Sequence, residues 1–234
     1  MTKNYIKYYT NEYGYYGPAN EPTLDANNTL NAALRSEDRA VRINTYENRA
    51  EITRISADDA RRILDDNPAG ILVIDTETTG LNQSADDVLQ LTALDGTYLT
   101  WLNLYFGSYH ESWPEAQAVN HINPAHVKDL LPLDRDTTTL GRLRQLILRA
   151  DVVVGYNIWY DLNMLIAAGA DIPHTIHTCD VMAEYKALHG CTKWVKLTEA
   201  AEHYKISTIL AHDAGQDCLM TLDVLKAMTG GRRR

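Results

Sequence analysis

The run Ile71-Leu72-Val73-Ile74 is apolar and mostly β-branched, the pattern of a strand buried on both faces. It continues into Asp75-Thr76-Glu77-Thr78-Thr79-Gly80. Because strand side chains alternate, Asp75 and Glu77 point to the same side. Val88-Leu89-Gln90-Leu91-Thr92-Ala93-Leu94 and the stretch from Thr97 to Phe106 also have strand character, and Asp95-Gly96 between them is a hairpin signal. Val152-Val153-Val154-Gly155 reads as another short buried strand. Val41-Arg42-Ile43-Asn44-Thr45-Tyr46 alternates like an exposed or edge strand.

Helical signals fill most of the remainder. Ser56-Ala57-Asp58-Asp59 caps a helix running to about Asp66, and Asn67-Pro68-Ala69-Gly70 breaks it. Asn123-Pro124 pairs an N-cap with proline at the first helical position, starting a short helix to about Leu130. Leu140, Leu143, Leu146 and Ile147 share one helical face. Tyr160 to Ala168 is expected to be a helix with Leu162, Leu165 and Ile166 inward, closed by Gly169. Cys179 to Leu188 and Lys196 to Tyr204 are two more. Asp213-Ala214-Gly215-Gln216 forms a capping box before a helix from Asp217 to Met228. The order predicts an α/β fold with a mixed sheet, three strands preceding any long helix, and no internal repeat.

Composition narrows this picture. With 234 residues the chain buries one sizeable core and leaves room for a small extra segment. No stretch approaches the roughly 18 apolar residues of a membrane helix, and the start at Met1-Thr2-Lys3-Asn4-Tyr5 has no apolar run, so neither a membrane span nor a secretory signal is expected. Cys179, Cys191 and Cys218 are odd in number and lack C-x-x-C spacing, which points to reduced thiols and a cytoplasmic location. The net charge is −9; residues 1–56 hold seven basic and seven acidic side chains, so all of the excess lies in residues 57–234. An acidic body argues against coating long nucleic acid by counterion release, and is compatible with gripping a chain end through bound metal ions. Six tyrosines (5, 8, 9, 13, 15 and 16) precede Gly17-Pro18-Ala19-Asn20-Glu21-Pro22, a composition of turns and irregular chain.

Three clusters carry candidate chemistry. Two carboxylates at the end of a buried strand, Asp75 and Glu77, repel each other unless a cation sits between them. In Val154-Gly155-Tyr156-Asn157-Ile158-Trp159-Tyr160-Asp161 a second buried strand turns and delivers a carboxylate to the first turn of a helix. Singly, such an acid complements the helix dipole. In His212-Asp213-Ala214-Gly215-Gln216-Asp217, His212 lies just outside a helix start and Asp217 just inside it. Four carboxylates and a histidine are what two-metal phosphodiester hydrolysis requires. The oxygen donors suit hard cations such as Mg2+ or Mn2+, and a histidine titrating near neutrality can take a proton from attacking water.

These motifs together resemble the DEDDh exonucleases, the DnaQ-like 3′→5′ exonuclease family with the ribonuclease H-like fold. Its first motif matches Asp75-Thr76-Glu77-Thr78-Thr79-Gly80-Leu81. Its second, usually N-x-x-F-D, matches Asn157-Ile158-Trp159-Tyr160-Asp161, with tyrosine in place of phenylalanine. Its third, H-x-A-x-x-D, matches His212, Ala214 and Asp217. Val119-Asn120-His121-Ile122-Asn123-Pro124 is similar to the family's His-Gly-Ile segment, with Asn120 before the histidine and no glycine after it. Thr178-Cys179-Asp180 loosely resembles a D-T segment. The match covers roughly residues 70–229.

The resemblance implies a central mixed β-sheet flanked by helices, with an N-terminal extension. It implies that Asp75, Glu77, Asp161 and Asp217 bind two divalent cations, Mg2+ or Mn2+, and that His212 is the general base. Backbone groups around Thr78, Thr79 and Gly80 would hold the terminal 3′-hydroxyl, and Leu81 and Ile122 would wedge against the last bases. Asn157 and Tyr160 would shape the pocket, with His121 alongside. The expected activity is 3′→5′ hydrolysis of single-stranded DNA or RNA to nucleoside 5′-monophosphates, with a polymerase or another nucleic-acid-processing protein as a possible partner. Two other readings stay open at this point: a catalytically silent nucleic-acid-binding or scaffold module on the same fold, and a haloacid-dehalogenase-type phosphatase. The phosphatase expects D-x-D where this chain has Glu77 and gives no reason for His212 and Asp217. The expected organisation is an extension over 1–66, an exonuclease domain over 67–229 and a basic tail over 230–234.

Overall fold

A computed structural model describes residues 24–47, 51–209 and 211–230. The tyrosine cluster and Arg232 to Arg234 lie outside them. Among the described residues six strands form one mixed sheet: β1 (Glu51–Arg54), β2 (Ile71–Thr78), β3 (Val88–Asp95), β4 (Thr100–Tyr105), β5 (Val152–Gly155) and β6 (Thr175–Asp180), in the order β1-β6-β5-β2-β3-β4. β2–β3 and β3–β4 are antiparallel; β2–β5, β5–β6 and β1–β6 are parallel. The Asp95-Gly96 hairpin forms as expected.

The alternation of β2 divides the protein into two faces. Leu72 and Ile74 pack with Leu143 and Ile147 of α5 (Thr137–Arg149) and with Ile158, Leu162 and Leu165 of α6 (Ile158–Ala167). Ile71 and Val73 pack with Ala60 and Leu64 of α2 (Ala57–Asp66), and with Cys218, Leu222 and Leu225 of α9 (Ala214–Gly230). α7 (Val181–His189) and α8 (Leu197–His203) complete that second face. Each fully buried aliphatic side chain contributes about 1.5–3 kcal/mol from apolar burial alone. β2 is hydrophobic on both sides because both sides are covered.

A small third cluster, Leu89, Trp113, Ile122 and Val127, lies under α3 (Pro114–Asn120) and α4 (Pro124–Val127). α4 is shorter than its sequence suggests, though Asn123 caps it by accepting the Ala125 amide at 2.8 Å.

Two expectations are corrected. Residues 41–46 are not a strand but the last turns of α1 (Leu24–Glu47), so a long helix precedes the first strand among the described residues. Ser36, Arg39, Ile43 and Tyr46 recur at helical spacing, and the inward position of a charged residue, Arg39, hides that period. Arg39 is buried because its guanidinium pairs with Asp87 at 2.5 Å and donates to the Ala85 and Asp86 carbonyls at 3.2 and 2.9 Å. The helix expected over Cys179 to Leu188 forms as α7 but starts two residues later: Cys179 and Asp180 close a strand, β6 (Thr175–Asp180), that sequence left unassigned, and Asp180 caps α7 by accepting the Met182 and Ala183 amides. The extension also contributes directly to the α/β body, since β1 pairs with β6 and α1 packs on α6. Among the described residues no helix is long and apolar enough to cross a membrane.

Candidate active site

The parity that builds the core also builds the site. Asp75 and Glu77 continue the series of Ile71 and Val73, so they face α9, which carries Asp217 in its first turn. Carboxylate oxygens of Asp75, Glu77 and Asp217 lie within 4.8 Å of one another, each residue partly buried. Thr76 continues the series of Leu72 and Ile74, so it faces α6. There its amide and hydroxyl both donate to Asp161 Oδ1, at 3.0 and 2.7 Å. Asp161 is 3% exposed. The structure therefore brings three of the four expected carboxylates into one cluster and ties the fourth to the strand between them.

The charges are uncompensated. Burial, then repulsion from Asp161, Asp217 and Glu77, holds Asp75 well above the usual carboxylate range. Glu77 is pushed up to about 8 by burial and then by Asp217 and Asp161. Asp161 rises to about 7 through burial, opposed by its two hydrogen bonds from Thr76. Asp217 rises to about 6 through burial, opposed by its bond from the His212 amide. Clustered acids that resist ionisation need a cation, and an all-oxygen donor set fits a hard divalent ion.

His212 stands on an exposed left-handed turn with φ of 69° and donates its backbone amide to Asp217 Oδ1 at 3.2 Å. It lines a cavity of about 480 Å3 together with Tyr105, His121, Ile122, His126 and Asp213. Asp213, which follows His212, accepts the Gly215 and Gln216 amides through Oδ1 and so starts α9. Its Oδ2 accepts from Gln90 Nε2 at 3.0 Å and from the Tyr105 hydroxyl at 3.2 Å.

Gln90 is 1% exposed and sits directly across from Glu77 in the β2–β3 register. Its Oε1 accepts the Ala214 amide at 3.2 Å. Gln90 therefore fixes the start of the helix that presents Asp217. Sequence reasoning missed it, although an amide within the apolar run Val88-Leu89-Gln90-Leu91 was a usable signal.

The expected substrate residues are placed as follows. The Tyr160 hydroxyl lies 2.7 Å from Thr78 Oγ1 and donates to the Gly80 carbonyl at 2.8 Å. The tyrosine thus spends its extra oxygen on the turn after β2. Thr79 and Asp87 exchange bonds: the Thr79 amide donates to the Asp87 carbonyl, and the Asp87 amide donates to Thr79 Oγ1, both at 2.9 Å. A Cβ at Gly80 would stand 2.6 Å from Asp86 Oδ2, so a larger residue there requires the Asp86 carboxylate to move off its bonds from Thr79 Oγ1 and the Asn82 amide. Leu81 is 85% exposed beside this turn, whereas Ile122 is 7% exposed and belongs to the third cluster while still lining the cavity. Asn157 adopts φ of 68°, a left-handed turn that asparagine accepts readily, and donates its amide to Asp180 Oδ1 at 3.1 Å. His121, also left-handed at φ of 59°, follows Asn120, whose Nδ2 donates to the Thr78 carbonyl at 3.1 Å. Asn120, unassigned by sequence reasoning, ties the His121 segment to the end of β2.

A mixed α/β sheet with strand-end acids facing a helix-borne aspartate defines a ribonuclease H-like nuclease fold. A family comparison agrees with that class over residues 72–225, which match the RNase T family of exonucleases. The chain belongs to this exonuclease family, whose membership implies dependence on a divalent metal ion. No curated protein matches it by sequence. Among solved structures, E. coli exonuclease I in a zinc-bound complex with single-stranded DNA matches at TM-score 0.57 and 17% identity, covering 70% of this chain and 41% of that one. The same enzyme with a dT13 oligonucleotide gives 0.55 and 17%, over 69% and 42%. Exonuclease X in complex with 5′-overhanging duplex DNA gives 0.50 and 16%, over 68% and 93%. The chain thus spans about two-fifths of the exonuclease I chains that it matches.

Proposed function

We propose that this protein is a DEDDh-type 3′→5′ exonuclease that removes nucleoside 5′-monophosphates from the end of single-stranded DNA or RNA by a two-metal-ion route. The observation that carries the reading is the meeting of Asp75, Glu77 and Asp217 within 4.8 Å, with His212 bonded through its amide to Asp217. Asp75, Glu77 and Asp217, with Asp161 beside them, would hold the metals. When bound, two Mg2+ or Mn2+ ions supply the positive charge that neutralises the scissile phosphate and acidifies the attacking water.

The chain's own residues do the rest. His212, exposed on its turn, is free to swing over the cluster and take the water's proton at a ring nitrogen. Its backbone bond to Asp217 keeps the turn beside the cluster. The turn of Thr78, Thr79 and Gly80, braced by Tyr160 and Asp87, forms the seat of the terminal nucleotide. Leu81 projects from it as a wedge against the last base, and Asn157, His121 and Ile122 border the same seat. Pre-set carboxylates and a braced seat lower the reorganisation needed at reaction, the usual source of electrostatic catalysis.

The test is incubation with 5′-labelled single-stranded DNA and RNA in Mn2+ or Mg2+. A ladder of products shortened stepwise from the 3′ end is expected. Products that all carry the label as a mononucleotide would reverse the polarity, and no product with any metal would leave the silent binding module as the better reading.

A further inference from the structure

Four of the chain's eight lysines, Lys186, Lys193, Lys196 and Lys205, fall within residues 186–205, where the acids are Glu199 and Glu202. This segment is therefore positive within a chain whose net charge is −9. At its centre Trp194 is 61% exposed, an unusual place for the largest apolar side chain. The Lys186 ammonium lies 4.0 Å from the centre of its ring, which orients the indole and puts positive charge beneath it. Lys193 and Lys196 are exposed on either side, and among the described residues neither has a carboxylate within ion-pair distance.

The loop between α7 and α8 is also placed relative to the site. The Tyr156 hydroxyl donates to the Val195 carbonyl at 2.7 Å. Tyr156 directly follows β5 and precedes Asn157, so the neighbour of Trp194 is anchored at the strand end that delivers Asp161. Cys191 and Val195 pack against the same core cluster as Tyr156, which gives the loop a fixed base.

We propose that Trp194, with Lys193 and Lys196, is a second contact for a single-stranded nucleic acid, stacking a base upstream of the terminus while the lysines meet its phosphates. This rests on the exonuclease reading above. Exposed aromatics interleaved with cations bind single strands without sequence preference, because every base has a stacking face. Such a contact explains how an otherwise acidic protein holds a polyanion: attraction is concentrated where the chain leaves the carboxylate site.

The test compares trimers with 15-mers of oligo-dT and oligo-U, in turnover with Mn2+ and in binding by anisotropy in EDTA. Trp194→Ala is expected to raise KM for the 15-mer about tenfold, with kcat and the trimer's KM unchanged; Trp194→Phe is expected to keep most of the affinity. Lys193→Ala/Lys196→Ala is expected to flatten the salt dependence of 15-mer binding by roughly 0.7 per lysine on a log–log plot. Unchanged 15-mer binding in Trp194→Ala, or equal losses on trimer and 15-mer, overturns the platform. If wild type binds the 15-mer but cleaves neither length, the exonuclease reading fails while the binding comparison still decides the platform. If wild type binds neither oligonucleotide, the platform falls, and the exonuclease reading falls with it only if neither length is cleaved in Mn2+.

Discussion

Thr76 holds Asp161 by two bonds to a single carboxylate oxygen, one from its amide and one from its hydroxyl. Hydrogen bonds to the ionised form lower a pKa, so these two oppose the upward push of burial on Asp161. Thr76→Val keeps the shape and the amide but deletes the hydroxyl. Asp161 is then expected to protonate at higher pH, moving the acid limb of the kcat profile upward. Bonds to charged groups contribute about 1.5–3 kcal/mol, so the variant is also expected to unfold at lower urea. A pH–rate profile identical to wild type counts against a working role for Asp161.

The carboxylate cluster makes the metal-free protein sensitive to pH. Asp161, Asp217 and Glu77 titrate at about 7, about 6 and about 8 in the folded protein, whereas in the unfolded chain they return to the ordinary range near 4. Between those limits the folded state binds more protons than the unfolded state, so stability falls as pH rises. Thermal unfolding in EDTA should show Tm declining from about pH 5 to pH 8. Mn2+ should restore more Tm at pH 8 than at pH 5; an equal gain at both would mean that the ion binds elsewhere.

Removing one acid should separate catalysis from stability. Asp75→Asn and Asp217→Asn are each expected to abolish turnover while raising the metal-free Tm at pH 8, since each removes a repelling charge. A variant that keeps near wild-type turnover removes its residue from the ligand set.

His212→Ala is expected to lose about 10²–10⁴-fold in kcat, the range for a general base, with metal-dependent stabilisation retained. Loss of the Mn2+ effect on Tm instead would assign His212 to the metal site and not to proton transfer.

The Arg39–Asp87 pair gives a test outside the carboxylates. Breaking a buried pair from one side costs about 3–5 kcal/mol, and here Asp87 also accepts from Ser108 Oγ and the Tyr109 amide. Arg39→Met should therefore lower urea stability strongly and raise KM, because Asp87 is bonded to Thr79 at the proposed nucleotide seat. A purely thermodynamic loss, with KM unchanged under folded conditions, would confine α1 to a scaffolding role.

Much of this was legible where one period ran unbroken. Ile71 to Ile74 and Val152 to Val154 read as buried strands because both of their faces are covered, and the motifs around Asp75, Asp161 and Asp217 lie where those strands or the helix packed on them begin and end. Legibility failed where a polar residue occupies an inward position. Arg39 conceals the inner stripe of α1, and Thr178, fully enclosed in β6, sits between His177 and Cys179 in a strand that passes into α7 with no linker. Gln90 and Asn120 were missed for a related reason: their importance lies in what they reach across the sheet, which local spacing does not record.

The alternation along β2 has one more consequence. Core and chemistry share a single reading frame there, with odd-numbered residues serving α9 and even-numbered ones serving α6. Deleting one residue between Ile71 and Ile74 would leave a strand that is still apolar and still pairs, yet it would hand both carboxylates to the wrong helix. The strand's tolerance for exchange of one aliphatic residue by another therefore coexists with none for a change in length.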